Sequence, residues 1–492
     1  MRILFVSAEA VPYAKTGGLA DVAGAVPKSL RAMGHDVALI MPYYRQARLK
    51  AADAAADTGI TLSVKLNAST VAGTLRRTTL PDSDVPVYFV DSPALFDREQ
   101  LYGTAEGDYP DNAERFIFFC RAVLDAAKTL QWRPDVLHCN DWQTSLIPVY
   151  LRTLYHRDPF YHDSRTLLTI HNLAYQGTFP RKAFGLTGLE WSHFNWQELE
   201  FFGKLNLLKG GLVFGDLLNT VSRRYAKEIQ TEAFGCGMQG ILAGRADDLF
   251  GIINGIDYTA WNPATDTLIP ATYTPDDLAG KTTCKHELQK RCGLPVSDAP
   301  LLGLISRLAE QKGLDLIVEI FDQLMQFDLQ FVLLGTGTKA YHRRLEALAS
   351  KYPTKFSANI TFSNELAHQI EAGSDMYLMP SRYEPCGLNQ LISLKYGAVP
   401  IVRRTGGLAD TITNCTPTSL AKETANGFSF ESYKSRALLA ATRRALKLYD
   451  DTRAWRRLVR TGMRQDWSWD NSAREYVDLY QRTRAKDGAA PS

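Results

Sequence analysis

Lys15-Thr16-Gly17-Gly18-Leu19-Ala20-Asp21 joins an apolar segment to a helical pattern, and the interpretation of the whole chain begins at this junction. The preceding segment, Ile3 to Val6, is continuously apolar, as expected for a strand buried on both faces. After it, apolar residues recur at helical spacing, so the paired glycines mark a helix start. Glycines let the backbone approach an anion, a helix N-terminus offers free N–H groups, and Lys15 adds a full charge. The pattern predicts a phosphate-binding strand-loop-helix unit.

The same pattern returns as Arg404-Thr405-Gly406-Gly407-Leu408-Ala409-Asp410, directly after the apolar run Val399 to Val402. A tight turn that needs glycine and binds nothing explains either copy alone about equally well. Two copies that match from Thr through Asp, each headed by a cation, favour a functional role.

Length and composition set the class of protein. A chain of 492 residues is too long for one core and predicts two to three domains. Hydrophobic residues at 45% and charged residues at 22% are typical of globular enzymes. A net charge of +3 indicates neither a nucleic-acid nor a membrane partner. The seven cysteines form no CxxC pair, which predicts reduced thiols and a cytoplasmic protein.

The first half alternates predicted strands and helices. Strands are expected at 37–41, 60–66, 73–80, 85–90, 135–139, 167–170, 217–222 and 251–254, with a helix at 112–130 and a kink or break at Pro27. Strands separated by helices predict an α/β domain with a largely parallel sheet.

Polar residues follow several of these strands where each one ends: Glu9, Lys15, Asp141, His171 and Asn172. In open parallel sheets, ligands bind outside the carboxyl ends of the strands. We therefore expect these five side chains to share one edge of the sheet.

A second α/β series follows the segment 255–281, which is rich in Asp, Thr, Pro and Tyr and is the best interdomain candidate. Strands are predicted at 301–305, 331–334, 360–362, 376–379 and 399–402, and an amphipathic helix at 471–484.

Gly335-Thr336-Gly337-Thr338-Lys339-Ala340 fits the G-x-G-x-x-A dinucleotide pattern, after a strand and before a helix. A dehydrogenase would place this loop on its first strand and an acidic residue at the end of the next one. Here the next predicted strand ends near Ser363-Asn364, so the nicotinamide hypothesis is disfavoured.

Arg307 and Lys312 lie in a second loop, Ser306 to Gly313, at the end of a predicted strand. Two cations at a strand end suit the diphosphate of a nucleotide-activated substrate, which gains charge as its bond breaks. The alternative is a solvated charged loop.

The most specific motif is Pro380-Ser381-Arg382-Tyr383-Glu384-Pro385-Cys386-Gly387-Leu388-Asn389-Gln390. It follows a predicted strand and opens a helix, so Glu384 is expected in a loop at the carboxyl edge. A glutamate at a helix start is usually a cap or a dipole partner, but this one accompanies the other strand-end residues.

Together these motifs resemble the bacterial glycogen synthases and the related plastid starch synthases. The residues that carry the resemblance run in order along nearly the whole chain: 15–19, 138–142, 171–172, 254–257, Arg307 with Lys312, 384–388 and 404–407.

The resemblance implies the GT-B fold, in which two Rossmann-like domains face each other across a cleft and a C-terminal helix crosses back to the first domain. The expected bounds are 1–254, 255–466 and 467–486. It also implies retaining transfer of glucose from ADP-glucose to the 4-hydroxyl of an α-1,4-glucan by a front-face mechanism.

The residue roles are likewise implied by the resemblance. Glu384, His171, Lys312 and Arg307 would form the catalytic set, in which Glu384 stabilises positive charge on the glucose and the two cations hold the phosphate. The donor and its phosphates would contact Lys15, Gly17, Gly18, Asn254, Gly387, Leu388 and Thr405. The acceptor or the sugar would contact Glu9, Asp141, Trp142, Asn172 and Cys386.

No metal and no pyridoxal phosphate is expected, since cations and helix N-termini replace a metal at the diphosphate. Many GT-B enzymes carry a second glutamate eight residues after the first for the ribose. Here that position is Ile392, which leaves the ribose contacts unassigned.

Three alternatives stay open: a disaccharide-forming transferase, a sugar-nucleotide epimerase, and a non-catalytic glucan-binding protein. The pattern does not separate ADP-glucose from UDP-glucose.

Overall fold

The structure is a computed structural model that describes residues 1–51, 54–67, 69–104 and 106–486. By internal contacts the chain forms two compact units. Unit 1 comprises residues 1–221, 226–252 and the chain from 469 onward, and unit 2 comprises residues 222–225 and 253–468.

Unit 1 is built on strands that match most of those predicted. They are β1 (Arg2–Val6), β2 (Asp36–Pro42), β3 (Ala56–Leu66), β4 (Ser69–Thr79), β5 (Pro86–Asp91), β6 (Gly103–Thr104), β7 (Gly107–Asp108), β8 (Val136–Asn140), β9 (Arg165–Ile170), β10 (Thr178–Pro180), β11 (Glu200–Phe201), β12 (Lys204–Asn206), β13 (Leu217–Thr220) and β14 (Leu249–Gly251).

The main sheet of unit 1 has nine strands in the order β14-β13-β9-β8-β1-β2-β5-β4-β3. Its strands run parallel from β14 to β5, and β4 and β3 add an antiparallel edge. The chain winds outward from β1 in both directions, so the order reverses between β1 and β8. Ligands bind at such a switch point in doubly wound sheets.

Helices pack on this sheet. Of the kink or break predicted at Pro27, the break is wrong, because the first helix continues through that residue. The helices before the C-terminal segment of unit 1 are α1 (Gly18–Ala32), α2 (Arg45–Ala51), α3 (Pro93–Phe96), α4 (Asn112–Thr129), α5 (Leu146–Arg152), α6 (Leu207–Phe214), α7 (Arg223–Glu228) and α8 (Gln239–Gly244). Residues 223–225 of α7 are assigned to unit 2, and the rest of that helix to unit 1.

Unit 2 has one parallel sheet of six strands. These are β15 (Leu301–Ile305), β16 (Gln330–Leu334), β17 (Phe356–Asn359), β18 (Met376–Met379), β19 (Val399–Arg403) and β20 (Phe428–Phe430). Their order is β17-β16-β15-β18-β19-β20, which is the Rossmann arrangement with its switch point between β15 and β18.

One predicted strand of unit 2 is displaced. The apolar run Ile360 to Phe362 was expected to form it, but the strand is Phe356–Asn359. The Phe356 ring is buried against Phe331, whereas Phe362 has 87% of its surface exposed in the loop after β17. Burial of Phe356 therefore determines the register, and the more apolar run is left at the carboxyl edge.

The helices of unit 2 are α9 (Ala279–Arg291), α10 (Leu314–Leu324), α11 (Lys339–Lys351), α12 (Asn364–Gly373), α13 (Asn389–Lys395), α14 (Gly406–Thr411), α15 (Pro417–Ala421), α16 (Ser435–Tyr449) and α17 (Thr452–Met463). The segment 255–281, interpreted from sequence as interdomain, is packed within unit 2. Its Ile256, Ile269 and Tyr273 are buried in the core of that unit.

The final helix, α18 (Trp469–Ala485), belongs to unit 1, where it packs on α1, β8 and β9. The Tyr480 hydroxyl lies 2.7 Å from His138 Nδ1 on β8, and His138 Nε2 lies 2.7 Å from the Thr169 hydroxyl on β9. The return of the C-terminal helix to the first domain is confirmed. In the described part of the chain, no helix is long and apolar enough to cross a membrane.

Tyr480→Phe should destabilise unit 1 while leaving its core packing intact. The substitution removes only the hydroxyl, so a buried ring nitrogen of His138 loses its partner, at a cost of about 1–3 kcal/mol. Hydrogen exchange of β8 and β9 under mild denaturant measures this loss. Tyr175→Phe, at an exposed position of the same unit, is the control. Equal protection in both variants would contradict the assigned contact.

Candidate active site

Glu9 holds the loop that carries Lys15. Its carboxylate accepts hydrogen bonds from the Thr16 N–H (2.5 Å), the Thr16 hydroxyl (2.5 Å), the Gly17 N–H (3.3 Å) and the Tyr102 hydroxyl (2.8 Å). The side chain is buried. A buried carboxylate with four donors is satisfied by its own loop, so Glu9 fixes the path of the chain from β1 to α1.

The loop itself is open to solvent on its glycine side. Gly17 and Gly18 are exposed, and a Cβ built on either would meet no atom within 4 Å. Lys15 pairs with Asp21 of α1 at 2.7 Å, in a half-exposed ion pair. The backbone is therefore accessible to an anion, and Lys15 is held beside the start of α1.

Asp141 and His171 meet at the adjacent strand ends. Asp141 Oδ1 accepts the His171 N–H at 2.7 Å, so the loops after β8 and β9 are joined. Burial raises the pKa of Asp141 to about 7. These contacts bring Asp141 and His171 together, as predicted.

Hydrogen bonds fix the tautomer of His171. Asn140 Nδ2 donates to the carbonyls of Val6 and His138, which orients Asn140 Oδ1 toward His171 Nε2 at 2.9 Å. Nε2 therefore carries the proton and Nδ1 is an acceptor. Burial lowers the pKa of His171 to about 3, so the ring is neutral at physiological pH.

Trp142 and Asn172 do not form an exposed surface on which a sugar ring could stack. The Trp142 ring is buried and packs edge-on against Phe116 at 4.8 Å and tilted against Phe179 at 5.8 Å. Asn172 is half-buried, and its Oδ1 accepts the Ala174 N–H. Trp142 thus anchors the small sheet β10-β12-β11 beside the end of β8.

In unit 2, Glu384 and Lys312 form a close ion pair at the switch point. Lys312 Nζ lies 2.6 Å from Glu384 Oε2, and the Ser381 hydroxyl donates to the same oxygen at 2.9 Å. Glu384 is buried and Lys312 nearly so. The sequence placed both residues at strand ends, but it did not predict that they pair.

Gln311 joins the two loops that flank this pair. Its side chain accepts from Arg307 at 3.3 Å and donates to the Tyr383 carbonyl at 3.3 Å, and its backbone carbonyl accepts the Arg382 N–H. The Arg307 side chain itself is exposed, as an anion-binding cation would be.

The second glycine motif packs against the Glu384 loop. The Gly407 N–H donates to the carbonyls of Glu384 and Pro385, both at 3.1 Å. A Cβ on Gly407 would lie 2.0 Å from the Cys386 carbonyl oxygen. This copy uses its glycines for contact between two loops, unlike the open glycines of the first copy.

Other predicted residues surround this loop. Thr405 and Cys386 are buried, and burial raises the pKa of the Cys386 thiol to about 12. The backbone of Asn254 hydrogen-bonds that thiol, and the buried Asn254 Oδ1 has no partner among the described residues. Gly387 turns with φ +76° into α13, whose N-cap is Leu388.

The G-x-G-x-x-A loop after β16 is paired with the Arg307 loop. Leu308 donates to the Thr336 carbonyl at 2.8 Å, and Thr338 donates back to the Leu308 carbonyl at 3.0 Å. Across the described residues, no three His, Cys, Asp or Glu side chains are grouped as metal ligands. The sequence contains an Asp-x-Asp pattern, Asp82-Ser83-Asp84, of the kind that can bind a metal, but Asp84 pairs with Arg31.

Sequence reasoning missed several residues that shape the site. Tyr102, Asn140 and Ser381 supply hydrogen bonds to Glu9, His171 and Glu384. Asn140 and Ser381 adjoin predicted residues, so adjacency was an available signal. Tyr102 is distant in sequence from Glu9, and no pattern indicates their contact.

Comparison with known proteins identifies the relatives of both halves. The family described as "Starch synthase catalytic domain" matches residues 2–244, and "Glycosyl transferases group 1" matches residues 287–461. Among curated proteins, glycogen synthase 2 of Geobacter sulfurreducens is 50% identical over 98% of both chains. Glycogen synthase of Koribacter versatilis is 48% identical over 100% of this chain and 99% of its own.

Solved structures match over the full length as well. The catalytic domain of starch synthase IV from Arabidopsis thaliana, bound to ADP and acarbose, superimposes with a TM-score of 0.88 at 33% identity, over 98% of this chain and 99% of that chain. Sucrose-phosphate synthase from Thermosynechococcus elongatus gives a TM-score of 0.60 at 17% identity over the same shares, which shows the fold alone.

Asp141→Asn should change how stability depends on pH. The pKa of Asp141 is raised from 3.8 to about 7, so from about pH 4 to pH 7 the folded chain keeps a proton that the unfolded chain has lost. The wild-type free energy of unfolding should fall relative to the variant over that range, by at most about 1.4 kcal/mol per pH unit. Hydrogen exchange of β8 and β9 at about pH 4 and about pH 7 measures this change in the free energy of unfolding. Asp57→Asn, on an exposed strand, is the control, and parallel pH profiles for all three proteins would contradict the shift.

Proposed function

We propose a specific reaction from one premise that is shown: the chain belongs to the bacterial glycogen synthases, a family of GT-B glycosyltransferases. The predicted family, fold class and enzyme class are confirmed. Such an enzyme takes a nucleotide-sugar donor and a glucan acceptor. We propose that the donor is ADP-glucose, that the acceptor is the non-reducing 4-hydroxyl of an α-1,4-glucan such as glycogen, and that the product is α-linked. The ADP in the Arabidopsis relative supports the adenine donor.

The loops of unit 2 suit a nucleotide sugar laid along the carboxyl edge of its sheet. In order across the sheet, this edge carries Phe362 after β17, Gly335 after β16, Arg307 after β15 and Glu384 after β18. Three strand spacings of about 4.8 Å place the outer loops roughly 14 Å apart, which suits a base at one end and a sugar at the other. We propose that the base stacks on Phe362 and that Arg307 and Lys312 hold the diphosphate.

The Lys312–Glu384 pair carries the catalytic proposal. As the glycosidic bond breaks, the glucose ring gains positive charge and the diphosphate gains negative charge. A carboxylate and an ammonium held 2.6 Å apart present the two opposite charges that this separation needs. Glu384 therefore stabilises the ring and Lys312 the leaving group, and the Ser381 hydrogen bond keeps the carboxylate oriented.

Residues of unit 1 complete the assignment. Lys15 and the open backbone of Gly17 and Gly18 suit the distal phosphate. The unprotonated Nδ1 of His171 suits a hydroxyl of the donor glucose, and Asn172 adds an amide beside it. In unit 2, the Asn254 Oδ1, which has no partner among the described residues, suits a hydroxyl group of the nucleotide sugar. Gly387, Leu388 and Thr405 keep their predicted assignment as contacts of the nucleotide sugar.

Asp141, Trp142 and Cys386 keep their predicted places on the acceptor or sugar side. Glu9 is reassigned, because its four hydrogen bonds make it a positioning residue for the Lys15 loop. The proposal uses no metal, no pyridoxal phosphate, no nucleic acid and no membrane, and it assigns the enzyme to the cytoplasm.

The carboxylates of the candidate residues already accept hydrogen bonds or pair with a cation, which supports front-face transfer over a covalent double displacement. A nucleophilic carboxylate must be free to attack the anomeric carbon. Glu384, Glu9 and Asp141 are each held by hydrogen-bond donors or an ammonium. We propose that the departing phosphate accepts the acceptor's proton and that the new bond forms on the side just vacated.

Glu384→Gln should keep donor affinity and lower kcat by about 10²- to 10³-fold, because the amide fills the same space without the charge. Lys312→Met should lower kcat and weaken binding of ADP-glucose. In the double variant Glu384→Gln/Lys312→Met, the fold-loss of kcat should be smaller than the product of the two single fold-losses. Transfer of labelled glucose from ADP-glucose to glycogen measures these effects.

The exposed pair Asp322–Lys351 of unit 2 is the matched control, and Asp322→Asn and Lys351→Met should stay within about twofold of wild type. Wild-type kcat in Glu384→Gln would refute its role. A β-linked product, or a glucosyl unit covalently bound to the protein by intact-mass measurement, would refute retaining front-face transfer. Absence of ADP release from the wild type would leave the glucan-binding alternative.

Phe362→Ala should raise KM for ADP-glucose by roughly 5- to 150-fold with little change in kcat, since stacking on a base contributes about 1–3 kcal/mol. Phe362→Tyr should restore the wild-type value, because the stacking face remains. Val296→Ala, another exposed position of unit 2, is the control. Equal KM in Phe362→Ala and the control would place the base elsewhere.

A further inference from the structure

An arginine-lined groove lies on the outer face of α17 in unit 2. It encloses about 1320 Å³, and its lining includes Arg453, Arg456, Arg457, Arg460 and Arg464. None of its lining residues belongs to the loops after β15 to β19 that carry Arg307, Lys312 and Glu384. The groove is therefore separate from the residues assigned to the donor.

The spacing of these arginines is unfavourable by itself. Four of them recur at intervals of four, three and four residues, so they form one stripe on α17, and Arg456 lies beside it. Like charges three or four residues apart repel each other on a helix. Arg453 also lies in the first turn, where the helix dipole is positive and disfavours a cation. The whole chain has a net charge of only +3, so the stripe does not reflect a generally basic protein.

The protein leaves most of this charge uncompensated. Arg464 pairs with Asp276 at 2.6 Å, and Arg460 Nε donates to the Pro275 carbonyl at 2.9 Å. The side chains of Arg453, Arg456 and Arg457 make no hydrogen bond or ion pair with any described residue. Two acids also line the groove: Asp451, which caps α17 by accepting the Ala454 N–H, and Glu423, which is exposed.

We propose that this groove binds a small phosphate-bearing anion. Planar guanidinium groups bind phosphate oxygens through paired hydrogen bonds, and several of them facing one groove neutralise a multiply charged ligand. A neutral glucan would leave the repulsion in place, and the groove contains no aromatic side chain on which a sugar ring could stack. A phosphorylated metabolite supplies the missing charge and fits within the enclosed volume.

On its inner face, α17 packs against α13 and the turn that follows it. Val459 and Met463 lie against Gly397, and Gly462 lies against Leu394 of α13, the helix that follows the Glu384 loop. Gln465, in the groove wall, accepts from Asn426, which donates to the Thr411 carbonyl at the end of α14. A bound anion would therefore be anchored on the rigid core of unit 2.

Isothermal titration of the full-length protein with pyrophosphate, in one molar equivalent of ADP to occupy the donor phosphates without an excess that competes for the groove, tests the proposal. The wild type should bind one pyrophosphate, and Arg453→Gln/Arg457→Gln should bind it at least tenfold more weakly. Arg443→Gln/Lys447→Gln removes the same charge at the same spacing from the exposed face of α16 and should bind within twofold of wild type.

Three outcomes would overturn the proposal: no pyrophosphate binding by the wild type, equal weakening in both double variants, or binding of long polyphosphate or duplex DNA alone. The last would identify a polyanion surface.

Thermal unfolding without added anion separately tests the premise that the arginines of the stripe repel one another. Arg457→Gln should raise the midpoint, because it removes repulsion, and a lowered midpoint would show that the stripe is already compensated.

Discussion

Close contact between two backbone loops in unit 2 determines where the Glu384 carboxylate lies. A Cβ on Gly406 would be 1.9 Å from the Glu384 carbonyl oxygen, and one on Gly407 would be 2.0 Å from that of Cys386. No side chain fits at either contact. On the other side, a Cβ on Gly313 would be 2.1 Å from the Pro380 carbonyl oxygen. The Glu384 loop is thus held between two glycine contacts, and the ion pair with Lys312 follows from that position.

The repeated Thr-Gly-Gly-Leu-Ala-Asp motif shows how one local sequence serves two purposes. Both copies follow a parallel strand and open a helix, as the sequence indicates. In the first copy the glycines are exposed, and a neighbouring carboxylate, Glu9, orients the loop. In the second copy the glycines are buried against the Glu384 loop. The difference arises because a separate loop, after β18, covers the second copy.

Several of the candidate residues are paired within their own unit. Lys15 pairs with Asp21, Lys312 pairs with Glu384, and the neutral His171 is held by an amide oxygen. The ion pair with Lys312 compensates the buried Glu384 carboxylate, whereas the Lys15–Asp21 pair is half-exposed. The α17 groove differs, because three of its arginine side chains have no hydrogen bond or ion pair in the described part of the chain. This difference in pairing is the observation on which the proposal of a bound anion in the α17 groove rests.

The sequence alone determined the α/β class, most strands, and the strand-end location of Glu9, Lys15, Asp141, His171, Arg307, Lys312 and Glu384. These features depend on apolar periodicity and on residues adjacent in the chain, which a pattern can reveal. The tertiary structure decided what no local pattern contains: the Lys312–Glu384 pair, the Tyr102 hydrogen bond to Glu9, the burial of the second glycine motif, and the exposure of Phe362. Each of these features depends on which distant segments of the chain come into contact. For β17, packing of Phe356 against Phe331 placed the strand at Phe356–Asn359 rather than at the more apolar run that follows it. Contacts between residues far apart in sequence form only when the sheets assemble, and for that reason only the folded chain shows them.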